Sequence, residues 1–181
     1  MIITDAIREE WFTEGELAVA NGFRLRARRE EWLRSRTAAK ELALQRGIVG
    51  DPLSCLVARP RLIIGGVESR WYVSLSHSKG WAAAAIDEQP VGIDIEAIRD
   101  LDERAAHLFL SDEETEVMRR CTIDHRALHF WCAKEAAWKQ RSSEFATLRQ
   151  LPLTLMNQRE DGLDFDAATT RRLDALIAAT T

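Results

Sequence analysis

Apolar residues return at helical spacing along two long stretches of the chain. Over residues 26–45, Trp32, Leu33, Ala39, Leu42 and Ala43 fall near a 3.6-residue period, and Gly47 follows as a stop signal. Over residues 125–141, Leu128, Trp131, Cys132, Ala136 and Trp138 form a second stripe. Shorter helices are predicted over 9–21, closed by Gly22, and over 102–109. Ser111 with Glu114 three residues on reads as a capping box that opens another. Residues 170–179 read as a terminal helix.

Elsewhere the pattern is strand-like. Leu62-Ile63-Ile64 and Trp71 to Ser76 flank Gly65-Gly66, which predicts a hairpin. Trp81 to Ile86 and Val91 to Ile95 are compact strands. Leu153 to Met156 and Leu163 to Phe165 flank Glu160-Asp161-Gly162, a second hairpin signal. Helices mixed with antiparallel hairpins predict an α+β fold. The predicted halves are residues 1–89 and 90–181. No repeat appears at a period of 20–50 residues, and no dinucleotide or Walker loop is present.

Charge sharpens this division. The 181-residue chain has a net charge of −4. Residues 24–61 hold ten Lys or Arg against four Asp or Glu, whereas residues 87–116 hold eleven Asp or Glu against two Arg. A basic and an acidic segment fit holding phosphates and holding a metal, or simply two solvated faces that pair. The longest apolar run, Trp81 to Ile86, is too short to span a bilayer, and the N-terminus has no basic leader region. Three cysteines, Cys55, Cys121 and Cys132, with no C-x-x-C spacing argue against a disulfide framework or a zinc site. The expectation is a reduced, cytoplasmic protein.

Three segments carry candidate chemistry. Asp94 and Glu96 stand two apart on a predicted strand, so both carboxylates share one face while Ile93 and Ile95 point the other way. Two carboxylates on one face repel, and a hard divalent cation such as Mg²⁺ relieves the repulsion. For an isolated D-x-E, an exposed acidic strand is the commoner explanation. Glu135 and Lys139, four apart on a helix, offer a third carboxylate and a nearby ammonium, or a weak surface ion pair. Ser74-Leu75-Ser76-His77-Ser78 ends a strand where hydroxyl and N–H groups can approach an anion.

Taken in order, Ser74–Ser78 (SLSHS), Val91–Glu96 (VGIDIE) and Trp131–Lys139 (WCAKEAAWK) resemble the 4′-phosphopantetheinyl transferase superfamily, in particular its surfactin-synthetase-activating type. The basic helix 29–44 and the Arg59-Pro60 step look like that family's N-terminal half, so the likeness covers roughly residues 25–160. The resemblance implies two similar α+β halves related by a pseudo-twofold, with coenzyme A bound between them. The first half would face the nucleotide, and the second would carry the metal carboxylates and the KEA helix. It implies Mg²⁺-dependent transfer of 4′-phosphopantetheine to a serine of an apo acyl or peptidyl carrier protein, with release of 3′,5′-ADP. Asp94, Glu96 and Glu135 match the metal carboxylates, and His77 matches the histidine beside the phosphates. Lys139 matches the lysine at the pyrophosphate, and Lys134, the lysine of the KEA motif, is a further candidate for binding coenzyme A.

The chemistry agrees with those roles. Glu135, directly or through a metal-bound water, is the candidate base for the carrier serine. Lys139 would stabilise the leaving group. Arg36, Arg29 and Lys40 are candidates for cradling the 3′-phosphate, with Arg59 and Ser76 next. After Lys139, Gln140 to Glu144 replace the glycine-containing turn common in the family. The expected partners are coenzyme A and a carrier protein, with neither nucleic acid nor membrane, and a monomer suffices. Two other readings stand beside this one. One is a catalytically weak or inactive module that binds the carrier or coenzyme A. The other is a nucleic-acid binder using the arginine-rich helix, which the acidic net charge and the lack of a stacking platform disfavour.

Overall fold

The computed structural model describes residues 1–141, 144–172 and 175–180. The chain divides into two compact units, Met1–Val91 and Gly92–Thr181.

In the first unit, strand β1 (Ile2–Thr4) leads through a 3₁₀ turn (Glu9–Trp11) to helices α1 (Glu14–Asn21) and α2 (Arg26–Gln45). A 3₁₀ turn (Pro52–Ser54) then opens a meander of β2 (Cys55–Ala58), β3 (Arg61–Ile64), β4 (Val67–Ser78) and β5 (Trp81–Asp87). The sheet is antiparallel, in the order β1-β5-β4-β3-β2. Two of the three two-residue hairpin loops turn on residues at positive φ, Gly65-Gly66 and Lys79-Gly80, which matches the right-handed twist of the strands; the third, Arg59-Pro60, turns on a cis peptide bond. One face of α2, Ala38, Ala39, Leu42 and Ala43, packs onto Leu62, Val73, Leu75, Ala82, Ala84 and Ile86. Alanines on both sides bring helix and sheet close.

The second unit repeats this topology. β6 (Ile93–Glu96) leads through a 3₁₀ segment (Glu103–Leu108) to α3 (Asp112–Arg120) and α4 (Arg126–Arg141). A 3₁₀ turn (Leu148–Gln150) opens the meander β7 (Leu155–Gln158), β8 (Leu163–Phe165), β9 (Ala168–Arg172) and β10 (Leu176–Thr180), with strand order β6-β10-β9-β8-β7. The Ser111–Glu114 capping box is formed, with Ser111 N–H donating to Glu114 Oε2 at 2.8 Å and Glu114 N–H to Ser111 Oγ at 3.2 Å.

The fold is α+β, with two five-stranded antiparallel sheets and packed helices. The expected terminal helix is overturned, because the described residues of its stretch lie in the end of β9 and in β10. Local helix propensity loses to tertiary pairing: Leu176, Ile177 and Ala178 are all buried in a strand bonded to β6 on one side and β9 on the other. Of the atypical segment after Lys139, Ser142 and Ser143 lie outside the described residues. Among the described residues no helix is long and apolar enough to cross a membrane.

Candidate active site

The acidic strand and the KEA helix meet inside the second unit. Gly92 makes the approach possible. A Cβ there would fall 1.8 Å from the Ala136 carbonyl oxygen, so only glycine lets β6 lie this close to α4. Thr180 brackets the same residue, accepting from Gly92 N–H at 2.8 Å and donating its own N–H to the Gly92 carbonyl at 3.0 Å.

Beyond Gly92, Ile93 and Ile95 are buried, and Asp94 and Glu96 both engage α4. Lys139 Nζ donates to Asp94 Oδ1 at 2.7 Å and to the Ile93 carbonyl at 3.0 Å. The Cys132 thiol also hydrogen-bonds Asp94, and burial together with that carboxylate pushes the thiol's pKa well up. Trp131 Nε1–H donates to Glu96 Oε1 at 3.3 Å, and the indole packs edge-on to Phe109 with ring centroids 5.1 Å apart. Burial raises the pKa of Glu135, Lys139 opposes the rise, and the charges of Asp94 and Glu96 add to it. Asp94, Glu96, Glu135 and Lys139 therefore act on one another as a single electrostatic cluster.

This donor set has the chemistry of a hard-cation site: three carboxylates from two elements, with repulsion felt at Glu135. It is not drawn together as a ligand cage. Among the described residues no three His, Cys, Asp or Glu side chains are grouped closely enough to hold a metal, and the Lys139 ammonium is the cation seated on Asp94.

The other predicted residues divide sharply. Arg36 is half-buried, with its guanidinium 3.9 Å over the Trp32 ring. Burial and the neighbouring Arg59 lower its pKa to about 10. Two guanidinium groups that repel each other in a desolvated setting favour an anion. Arg29 is instead closed by Glu9, with two hydrogen bonds of 2.8 and 3.0 Å, and by Asn21 at 3.0 Å. His77 is exposed on β4, its Nδ1 3.9 Å from Glu31 Oε2, beside the buried Ser76.

Lys40 and Lys134 are engaged within the protein. Lys40 is fully buried, donating to the Trp11 carbonyl at 2.8 Å, to Glu16 Oε2 at 2.9 Å and to the Pro52 carbonyl at 3.0 Å. Lys134 is fully buried too, donating to Glu114 Oε1 at 2.7 Å and to the carbonyls of Leu148 and Leu151. An ammonium has three protons, and each lysine has placed all three on protein oxygens, which leaves none for a phosphate. Trp131 and Cys132 are the site residues that sequence reasoning read only as apolar packing. The four-residue step from Trp131 to Glu135 was the available signal that they share a face.

The fold and cluster thus define an α+β protein whose C-terminal unit sets a lysine among three carboxylates. Comparison with known proteins gives a family match. The profile described as "4'-phosphopantetheinyl transferase superfamily" matches residues 90–174, most of the second unit. The chain is also similar to 4'-phosphopantetheinyl transferase psf-1 of Bacillus pumilus, with 39% identity over 69 residues. That match covers 36% of this chain and 30% of the relative's length.

Proposed function

We propose that this protein transfers 4′-phosphopantetheine from coenzyme A to a serine of an apo acyl or peptidyl carrier protein. The observation that carries the proposal is the Asp94, Glu96, Glu135 and Lys139 cluster, lying within the matched segment. In the reaction the serine Oγ attacks the phosphorus that bears the pantetheine arm. The bond from that phosphorus to the oxygen of the 5′-phosphate breaks, and 3′,5′-ADP leaves with the bonding electrons. Asp94, Glu96 and Glu135 would hold Mg²⁺. A bound Mg²⁺ supplies neutralisation of the charge on the phosphoryl oxygens.

The chain's own residues have the remaining tasks. Glu135 is the candidate base that takes the serine proton, directly or through a water. Lys139 exchanges its bond to Asp94 for the leaving phosphate oxygen, where an ammonium offsets developing charge. Within the first unit, Arg36 and Arg59 are the cationic pair suited to the 3′-phosphate. His77, beside Ser76, is the candidate imidazole for a phosphate contact. The three free cysteines are buried, which fits a reducing cytoplasm, and one chain holds every residue invoked.

The test is a mass measurement. Incubated with coenzyme A and Mg²⁺, the protein should add one phosphopantetheine arm to at least one member of a panel of apo-carriers, and chelator should stop it. No mass gain on any carrier of fatty acid, polyketide or nonribosomal peptide type rejects the proposal.

A further inference from the structure

The buried lysines form a matched pair. Each follows an alanine and precedes a glutamate on the long helix of its unit: Ala39-Lys40-Glu41-Leu42-Ala43 in α2 and Ala133-Lys134-Glu135-Ala136-Ala137 in α4. Each bonds the glutamate of a capping box, Thr13–Glu16 at the start of α1 and Ser111–Glu114 at the start of α3. Each also binds a carbonyl of the 3₁₀ turn that opens the following meander, Pro52 in one unit and Leu148 in the other.

What differs between the units is equally informative. The edge strand β1 carries Ile2, Ile3 and Thr4 where β6 carries Asp94 and Glu96. Five residues after the lysine, the first unit has Gln45, bonded at 3.5 Å to Glu41, where the second has Lys139. The unit that lacks the acidic strand and the second lysine keeps the buried lysine and its capping-box glutamate. That pair therefore belongs to the scaffold, whereas Asp94, Glu96 and Lys139 are particular to the site.

From this we infer that Lys134 is a positioning residue for the acidic cluster and not a phosphate ligand. Its Nζ ties α4 to the start of α3 through Glu114 and to the approach to β7 through Leu148 and Leu151. Glu114 Oε1 also accepts Leu153 N–H at 2.8 Å, which closes the tie. Adjacent helix residues stand about 100° apart around the axis, so fixing Lys134 fixes the direction of Glu135. The inference rests on the proposed metal site.

Calorimetry with Mn²⁺, and separately with coenzyme A in the absence of metal, tests it on Lys134→Met/Glu114→Gln and on the control pair Lys40→Met/Glu16→Gln. Both double variants should lower Tm, each by on the order of 10 °C. Only the first should weaken Mn²⁺ binding, by about tenfold, as losses in the outer shell of a metal site do. Its coenzyme A affinity should stay within about twofold. Glu114→Asp, which shortens the tie by one methylene, should show the same pattern more weakly and keeps the test open if the double variant does not fold. A loss of coenzyme A affinity with Mn²⁺ binding intact would return Lys134 to the phosphates. An equal loss of Mn²⁺ binding in the control pair would reduce the effect to general stability. Wild-type protein whose Mn²⁺ binding is absent, or indifferent to Glu135→Gln, overturns the metal reading itself and the inference with it.

Discussion

Lys139 Nζ sits 2.7 Å from Asp94 Oδ1, an ammonium paired with the carboxylate that the proposed reaction assigns to a metal ion. The same side chain is needed at the leaving phosphate. Lys139→Met should lower kcat for carrier modification by about 10²- to 10³-fold, the usual loss when a donor to developing charge is removed. More than a tenth of wild-type kcat would exclude Lys139 from the chemistry. Glu135→Gln should be as inactive yet at least as stable. Burial and the neighbouring carboxylates raise the Glu135 pKa in the folded state, so ionising it costs stability as pH rises through that range, and glutamine removes the cost.

Gly92 should be intolerant of any side chain. With the Ala136 carbonyl oxygen 1.8 Å from the position of an added Cβ, Gly92→Ala must move β6 away from α4. The expected cost is about 3 kcal/mol, at the upper end for overpacking, since the obstacle is backbone. Urea denaturation measures it. A loss under about 0.5 kcal/mol, the range of ordinary surface changes, would show that strand and helix are not in contact there.

Two arginines on α2 should behave differently. Arg36 stands beside Arg59, whereas Arg29 is closed by Glu9. Arg36→Ala should weaken coenzyme A binding by about tenfold, in the range of a charge-assisted contact, and leave binding of coenzyme A lacking the 3′-phosphate unchanged. Arg29→Ala should change neither. Equal effects of Arg36→Ala on both ligands would remove Arg36 from the 3′-phosphate.

His129 gives a dependence on pH. It is fully buried, its Nδ1 lies 2.8 Å from Thr170 Oγ1, and burial followed by the Arg172 charge lowers its pKa from 6.5 to about 4. Between those values the unfolded chain binds the proton and the folded chain does not, so stability falls as pH drops from about 6.5 towards about 4. The full contribution is about 3 kcal/mol, from 1.36 kcal/mol per unit. Urea midpoints across this range should slope for wild type and flatten for His129→Gln. Parallel slopes would show that other groups govern acid unfolding.

Much of this was legible along the chain because it rests on local rules. The span of α2, the Ser111 cap and the Gly65-Gly66 hairpin follow from periodicity, capping and turn chemistry within a few residues. The three motif blocks pointed to one family, and two of them, Val91–Glu96 and Trp131–Lys139, lie within the profile match to residues 90–174. The failures were not local. Residues 170–179 have helical propensity, yet Thr170 to Arg172 end β9 and Leu176 to Ala179 pair with β6, where three consecutive buried residues are worth more than propensity. Lys40 and Lys134 are charged, and charge usually marks a surface. Only the convergence of a glutamate and carbonyls distant in sequence permits their burial.

By itself, then, the sequence determined which residue types are present and which of them share a helix or strand face, because 3.6-residue and two-residue periods are properties of the backbone. That was enough to nominate Asp94, Glu96, Glu135 and Lys139. Only the tertiary structure decided which lysine belongs with them. Lys134 and Lys139 are five residues apart on one helix, but Lys134 is spent on Glu114 and two carbonyls while Lys139 reaches Asp94. The reason is geometric: a side chain's partners are set by the element its face meets, and that element lies 20 residues away for one and 45 for the other.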